Sequence, residues 1–156
     1  MHIHKLYDFV VSVFVVHAGK VLLVYHRRYG HWLPIGGHIE LDEDPDEALV
    51  REIREESGLK VRILSEKPRI AHRGVRPLFV PSYMDVHRVK GHHKHIAFVY
   101  FARSRRTRVR LHDAEHQTYR WFSRGDLNLP KYRLYPSIRF YCIKAIRRAR
   151  GDGGRG

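Results

Sequence analysis

Residues 36–59 read Gly-Gly-His-Ile-Glu-Leu-Asp-Glu-Asp-Pro-Asp-Glu-Ala-Leu-Val-Arg-Glu-Ile-Arg-Glu-Glu-Ser-Gly-Leu. This stretch predicts a glycine loop that leads into one helix with well-marked ends. Asp44 suits the N-cap, Pro45 suits the first helical position, and Glu47 completes a capping-box pattern with Asp44. Gly58 supplies the C-terminal stop. The fold of the chain is therefore expected to be organised around this loop and helix.

Three glutamates of the helix share one face. Glu52, Glu55 and Glu56 are separated by three and four residues, so their carboxylates converge within one turn. Because like charges at this spacing repel, the cluster calls for a hard divalent cation with oxygen ligands, and Mg²⁺ or Mn²⁺ fits best. Arg51 precedes Glu55 by one turn and is expected to orient that carboxylate by charge-assisted hydrogen bonds.

The same stretch resembles the Nudix box, the signature of the Nudix (MutT-like) hydrolases, at every fixed position. In this sequence the pattern is Gly37, five residues, Glu43, seven residues, and then Arg51-Glu52-Ile53-x-Glu55-Glu56-x-Gly58-Leu59. A solvated acidic helix face does not explain the glycines at both ends at these spacings. We therefore suspect a member of this family, and the sequence does not assign a subfamily.

The resemblance implies a metal-dependent pyrophosphohydrolase. In this family, water attacks a phosphorus of a nucleoside diphosphate linked to another group, and a nucleoside triphosphate or modified nucleotide is the default substrate here. Glu52, Glu55 and Glu56 resemble the metal-binding carboxylates, and Glu52 also resembles the base. Gly37 resembles the glycine whose carbonyl binds the metal, and Arg51 is grouped with the catalytic residues. The expected cofactor is Mg²⁺ or Mn²⁺.

The chain is strongly basic. Thirty Lys and Arg residues against sixteen Asp and Glu give a formal net charge of +14, with arginines concentrated in residues 103–110 and 144–150. Such a field attracts polyanions, although solvated arginine-rich faces explain it equally well. Two alternatives therefore stay open: a pyrophosphohydrolase for the 5′ end of RNA, and a non-catalytic nucleic-acid-binding protein on a Nudix scaffold. The intact glutamates argue against the second.

A further acid is expected beyond the box, because some Nudix proteins take one from a later loop. Asp113 and Glu115 are the candidates in this sequence. Both residues also suit a solvated turn, and that alternative is kept. We place Glu115 among the substrate-binding residues.

Thirteen histidines are present, and several of them crowd into one short region. His93 and His95 alternate on a predicted strand, so both side chains face the same way. With His87 they are candidates for substrate binding; a zinc site, or no functional role, are the alternatives. Trp32 is a candidate for stacking on a base, although an aromatic residue beside a strand is more often part of the core.

The remaining sequence predicts strands near residues 9–16, 21–26, 32–40, 60–65, 83–89, 95–102 and 118–122, and a final helix near 138–149. Residues 68–81 predict an irregular loop. This order indicates an α+β or α/β domain, specifically a Nudix-type α/β/α sandwich with a mixed sheet between helices. We expect a single domain over residues 1–150 and a disordered basic and glycine-rich tail over 151–156.

Composition limits the remaining possibilities. Cys142 is the only cysteine, so no internal disulfide forms, and its apolar surroundings in the sequence predict core packing. Neither a membrane span nor a signal peptide is recognisable, so we expect a cytoplasmic protein without a membrane partner. A phosphate-containing nucleotide is the partner that the Nudix resemblance implies. The sequence leaves the oligomeric state open, with a homodimer as one alternative.

Overall fold

The computed structural model describes residues 6–111 and 114–152. These residues form eight strands, two α-helices and two short 3-10 turns, Asp126–Asn128 and Pro130–Tyr132. The strands are β1 (Tyr7–His17), β2 (Lys20–His26), β3 (His31–Leu33), β4 (Ile35–His38), β5 (Val61–Ile63), β6 (Tyr83–Lys90), β7 (His93–Ser104) and β8 (His116–Phe122). The helices are α1 (Pro45–Ser57) and α2 (Pro136–Gly151).

One mixed sheet is built around β1 and β7, which pair in parallel. Strand β1 also pairs antiparallel with β4 in its middle, at Val10–Val13, and with β2 at its end. Beyond these, β2 pairs with β3 and β8, and β7 pairs with β5 and β6, all antiparallel. A parallel pair requires a long crossover, and the crossover from β1 to β7 contains α1.

The two helices cover opposite faces of this sheet. Val11 of β1 packs in the core cluster that contains Leu49 and Ile53 of α1, whereas Val10 packs with Tyr141 and Cys142 of α2. The reason is the strand period of two, which sends neighbouring β1 side chains to opposite sides. We call these sides the α1 face and the α2 face. The predicted α/β/α sandwich with a mixed sheet is confirmed.

The ends of α1 are those that the sequence predicts. The Asp44 side chain accepts hydrogen bonds from the backbone N–H groups of Asp46 and Glu47, and the Glu47 side chain accepts one from the Asp44 N–H at 2.9 Å. Gly58 ends the helix with φ 63°, a left-handed conformation in which glycine carries no steric penalty. The capping box and the glycine stop therefore fix the position of the helical turn that carries Glu52, Glu55 and Glu56.

Other predicted elements are present with shifted bounds. The predicted strand over 32–40 is divided into β3 and β4 by Pro34, which has no N–H to donate to a ladder. Residues 68–81 are irregular, and the Phe79 N–H donates to the buried Asp46 carboxylate, which ties this loop to α1. Only the central part of the predicted 60–65 strand pairs with β7.

Two residues of the predicted tail belong to the part of the chain that the structure describes. Gly151 belongs to α2, and the Asp152 carboxylate pairs with Arg62, so these two residues of the predicted tail pack against the domain. Residues 153–156 lie outside the described residues. Cys142 is fully buried, as predicted, and burial raises the pKa of its thiol. No helix in the described part of the chain is long and apolar enough to cross a membrane.

Candidate metal and active site

Glu52 lies against the glycine loop. Its residue exposure is only 8%, and a Cβ placed on Gly37 would overlap the Glu52 carboxylate. The side chain of residue 37 would point to the α1 face, because Gly37 pairs with Val11 of β1. Only a glycine at position 37 thus lets the carboxylate approach the backbone this closely. The structure brings together these two predicted metal ligands.

Glu56 is the most fully bonded of the three glutamates. Its Oε2 accepts the Gly36 N–H at 2.9 Å, and its Oε1 lies 2.8 Å from Nε2 of His116. The exposures of Glu56 and His116 are 5% and 1%. A buried carboxylate requires such partners, because an unpaired buried charge is strongly destabilising. Glu55, by contrast, is exposed and faces outward from the same turn.

Arg51 is the centre of an ion-pair network, although the sequence did not identify its main partners. Its guanidinium makes two hydrogen bonds to Glu43, at 2.6 and 2.9 Å, and one to Glu52 Oε1 at 2.7 Å. It also donates to the His38 carbonyl at 2.9 Å. The predicted contact with Glu55 is the longest of the set, at 3.5 Å. Arg51 therefore orients Glu52 and ties the helix to the loop before it.

The environment of Glu52 disfavours its charged form. The pKa of this carboxyl is raised to about 7, mainly by burial and also by the nearby Glu56 and Glu55, against the opposing effect of Arg51. At Glu43 the balance is reversed, since the hydrogen bond from Arg51 lowers the pKa of that carboxyl. Part of the rise in the pKa of Glu52 therefore comes from the repulsion that the spacing of the glutamates predicts.

Glu115 lies near Glu56, one of the three glutamates of α1. One oxygen of its carboxylate lies within 4.8 Å of ligand atoms of Glu56 and His116, in a group of three with metal-binding side chains. Glu115 is exposed and lies 4.0 Å from His26. The placement supports the idea of an additional acid beyond the box. Asp113, the other candidate, lies outside the described residues.

His116 is a site residue that the sequence did not indicate. It opens β8 and reaches Glu56 across sixty positions of sequence. Its Nδ1 is buried without a hydrogen-bond partner among the described residues. In the local sequence, only its position next to Glu115 could have pointed to His116 as a site residue. No spacing rule relates a histidine at this position to α1.

The predicted substrate-binding histidines lie on the other side of the sheet. His95 pairs with Asp8 of β1 and with His87 of β6. Both Asp8 and His95 lie two positions before members of the α2-face core, Val10 and Ala97, and therefore point to the α2 face. The expectation that His93 and His95 face the same way is met, but that face is not the one that carries Glu52.

His38 belongs to the same group, which we call the histidine cluster: His38, His87, His93 and His95. The ring centroids of the other three lie 4.9 to 5.4 Å from that of His95. The pKa of His95 is lowered to about 4, mainly by burial and also by the neighbouring His38, His87 and His93. His95 is therefore a neutral imidazole at pH 7, the form that binds metals.

Trp32 is also on the α2 face. Its ring makes edge contacts with Tyr25, Phe122 and Tyr132, and it packs against the core cluster of α2. These contacts therefore support the alternative in which Trp32 is part of the core. The structure does not bring Trp32 to the glutamates, so the base-stacking prediction gains no support from its position.

The donors around Glu52 fit a hard divalent cation. Carboxylates of Glu52, Glu55 and Glu56 and a backbone carbonyl at Gly37 are all oxygen ligands, the set that Mg²⁺ and Mn²⁺ prefer. The raised pKa of Glu52 agrees with this assignment, because burial and the neighbouring carboxylates outweigh the hydrogen bond from Arg51. The residues present thus fit the metal that the box implies.

An α/β/α sandwich with a buried glutamate helix beside a glycine loop is the architecture that the Nudix resemblance implies. Comparison with known proteins agrees: a family model described as NUDIX domain matches residues 6–141. The chain belongs to the NUDIX family. Its structure is similar to that of a NUDIX-family hydrolase from Clostridium perfringens, with a TM-score of 0.78, 32% identity, and coverage of 90% of this chain and 96% of that one.

Curated relatives match over shorter stretches. A MutT-like protein of Streptomyces ambofaciens is 37% identical over 54 residues, which are 35% of this chain and 35% of that protein. A diphosphoinositol polyphosphate phosphohydrolase 3-alpha of Mus musculus is 47% identical over 45 residues, 28% of this chain and 27% of that protein. The matched part of the chain therefore spans about a third of these relatives, or less.

Proposed function

We propose that the chain is a metal-dependent pyrophosphohydrolase that cleaves a nucleoside diphosphate linked to another group, by attack of water on phosphorus. The observation that carries the proposal is the buried Glu52 carboxylate, which lies against Gly37 with a pKa raised to about 7. A structural carboxylate would be expected in solvent or fully paired. Membership of the NUDIX family supports the same reaction class.

Mg²⁺ or Mn²⁺ is the proposed cofactor. Glu52, Glu55, Glu56 and the Gly37 carbonyl would hold it, with Glu115 as a further acid near Glu56. Such a cation neutralises diphosphate oxygens and lowers the pKa of water. Because Glu56 already accepts hydrogen bonds from Gly36 and His116, its orientation is set before any cation binds.

Glu52 is proposed as the general base. A base works best when its pKa lies near the working pH, and burial brings the Glu52 carboxyl to that range. Arg51 holds one Glu52 oxygen at 2.7 Å and is itself held by Glu43. This arrangement keeps the carboxylate oriented without fully neutralising it, so it can accept a proton from water.

A nucleoside triphosphate or modified nucleotide is the proposed default substrate. The α1 face offers an apolar recess of about 300 Å³ that includes Glu43, the main partner of Arg51. Its lining residues are Phe9, Ile39, Glu40, Leu41, Glu43, Pro45 and Phe98. The rings of Phe9 and Phe98 are near-parallel, with centroids 6.1 Å apart. Apolar and aromatic walls of this kind suit a base or another planar group. The recess lies on the same side as the glutamates, unlike Trp32.

RNA is kept as the second candidate substrate because of one observation. Arg105, Arg106, Arg108 and Arg110 are all exposed after the end of β7. An RNA substrate that contacts several of these residues would bind with a steep dependence on salt, whereas a mononucleotide would show a shallow one. A cytoplasmic location and a possible homodimer remain predictions of the sequence.

The test is a product-release panel with Mg²⁺ or Mn²⁺. Substrates are nucleoside triphosphates, oxidised nucleotides, nucleoside diphosphate sugars, dinucleoside polyphosphates and 5′-triphosphate RNA. The wild-type chain is compared with Glu52→Gln and Glu55→Gln, and with Asp42→Asn, which removes an exposed charge outside the cluster. Activity in the wild type and in Asp42→Asn, with loss in both glutamate variants, is expected. Equal inactivity of all four proteins across the panel would overturn the proposal.

A further inference from the structure

Asp8, His38 and His95 converge on the α2 face from three different strands. Asp8 lies on β1, His38 on β4 and His95 on β7, and one ligand atom of each lies within 4.8 Å of the other two. All three positions are set by register, since Asp8 is paired with His95 and His38 is paired with Val10. The convergence is therefore fixed by the sheet and does not depend on a flexible loop.

The distances are close to those of a metal site. Nε2 of His38 lies 3.5 Å from Oδ2 of Asp8, and Nε2 of His93 lies 3.1 Å from the same oxygen. Ligand atoms around a tetrahedral zinc ion with bonds of about 2.1 Å are separated by about 3.4 Å. Little movement is needed to place an ion between Asp8 and the histidines.

The donor chemistry differs from that of the box glutamates. Two imidazoles and one carboxylate suit zinc and other divalent transition metals, whereas Mg²⁺ prefers oxygen donors alone. His93 adds another imidazole at the rim, and His87 is held in place by a hydrogen-bond contact of 2.8 Å with Asp85. Asp85 is in turn held by the Tyr141 hydroxyl of α2 at 2.7 Å. These contacts fix His87, whose ring packs against that of His95 with centroids 5.4 Å apart.

We propose that Asp8, His38 and His95 form a binding site for a divalent transition-metal ion, with zinc as its representative, on the face of the sheet opposite the box glutamates. The site takes three protein ligands and leaves a position for water or for His93. Zinc bound there links β1, β4 and β7. Since His38 directly follows Gly37, the ion also fixes the strand that carries the glycine loop.

The experiment is a zinc titration of the untagged full chain in excess Mg²⁺, followed by calorimetry. Excess Mg²⁺ competes with zinc for the oxygen ligands proposed at the box, so it weakens zinc binding there relative to sites with nitrogen donors. The wild type is expected to bind one equivalent, and His95→Ala and Asp8→Asn are expected to bind at least tenfold more weakly. The matched control is His92→Ala, which removes an exposed turn histidine that neighbours the cluster in sequence.

A second measurement identifies the ligands. Co²⁺ bound to imidazole and carboxylate ligands gives visible ligand-field absorption, which should appear in the wild type and in His92→Ala and be lost in His95→Ala. Asp8→Asn keeps the shape of the side chain, so it serves if His95→Ala folds poorly by circular dichroism. Unchanged zinc affinity in both variants overturns the proposal, as does loss of zinc in Glu115→Gln instead, which would place the ion beside Glu56 and His116.

Discussion

The two faces of the sheet carry two different kinds of ligand. On the α1 face, the glutamate carboxylates come from one helical turn, with Glu52 against Gly37, and they suit a hard cation. On the α2 face, imidazoles from strands surround Asp8, and they suit a transition metal. Strand β4 contributes to both, because Gly37 faces α1 and the next residue, His38, faces α2. Residues adjacent in sequence are thus separated by the sheet, and adjacency is no guide to a shared site.

The largest expected effect separates the two faces directly. Replacing Glu52 by Gln should reduce hydrolysis by about 100- to 10,000-fold, the range for loss of a general base, because the amide cannot accept the proton. The same variant should bind zinc on the α2 face as the wild type does. Rates of product release and a zinc titration on one preparation check both statements. Loss of zinc affinity in Glu52→Gln would show that the two faces do not act independently.

Two neighbouring glycines provide the second test. In Gly37→Ala the new Cβ would displace the Glu52 side chain, which can move, so we expect a stable protein with about 100-fold lower activity from a misplaced carboxylate. In Gly36→Ala the Cβ would overlap the Val11 carbonyl, at a φ of 151°. Because backbone cannot move aside, this variant should lose about 3 kcal/mol of unfolding free energy.

Urea denaturation and kinetics on both variants measure this contrast. A Gly37→Ala protein that is as unstable as Gly36→Ala would mean that the loop tolerates no side chain at either position. Gly37 would then have the same role in the backbone fold as Gly36. Its specific role of leaving space for the Glu52 carboxylate would be refuted.

Much of the α1 face could be predicted from the sequence because its determinants are local. The cap at Asp44, the stop at Gly58 and the shared face of the glutamates depend on spacings within one helix. The main partner of Arg51 was not predicted, since Glu43 precedes the helix and reaches Arg51 only through the path of the loop. His116 was missed for the same reason, at a much longer range.

The α2 face was harder to predict because it depends on register. The alternation of His93 and His95 was visible in the sequence, but which helix they face follows from pairing with β1, a strand more than eighty residues earlier. A one-residue change in that register would send both histidines to the other side. No local pattern holds this information, so the sequence could not show that these histidines and Glu52 lie on opposite faces.

The third expected effect is a pH dependence of Mg²⁺ binding on the α1 face, which comes from the proton on Glu52. In the metal-free protein the pKa of Glu52 is raised from 4.5 to about 7, so its contribution to stability is present below pH 4.5 and is lost as the pH rises through 7. A cation requires the ionised form. Below pH 7, Mg²⁺ affinity should therefore fall by up to about tenfold per pH unit, because one proton must be released.

Calorimetric titrations with Mg²⁺ at pH 6, 7 and 8 measure this dependence, with Glu52→Gln as the control that should show a flat profile. Stabilisation by Mg²⁺, followed as a shift in the unfolding temperature, should be larger at pH 8 than at pH 6. Equal Mg²⁺ affinity at these two values would mean that Glu52 is already ionised before the cation binds. The pKa of Glu52 would then be raised less than the burial of this carboxyl implies.

The smallest expected effect comes from the support of the histidine cluster. Tyr141→Phe removes the hydroxyl that donates to Asp85 at 2.7 Å, and loss of one hydrogen bond should lower the unfolding free energy by about 1 kcal/mol. Hydrolysis should be unchanged, since Tyr141 packs on the α2 face. Tyr135→Phe, at an exposed position of the same segment, is the matched control. If Tyr141→Phe lowers activity while Tyr135→Phe does not, the α2 face is coupled to the glutamates through the sheet. Strand β4 would carry that coupling, because Gly37 and His38 are adjacent on it.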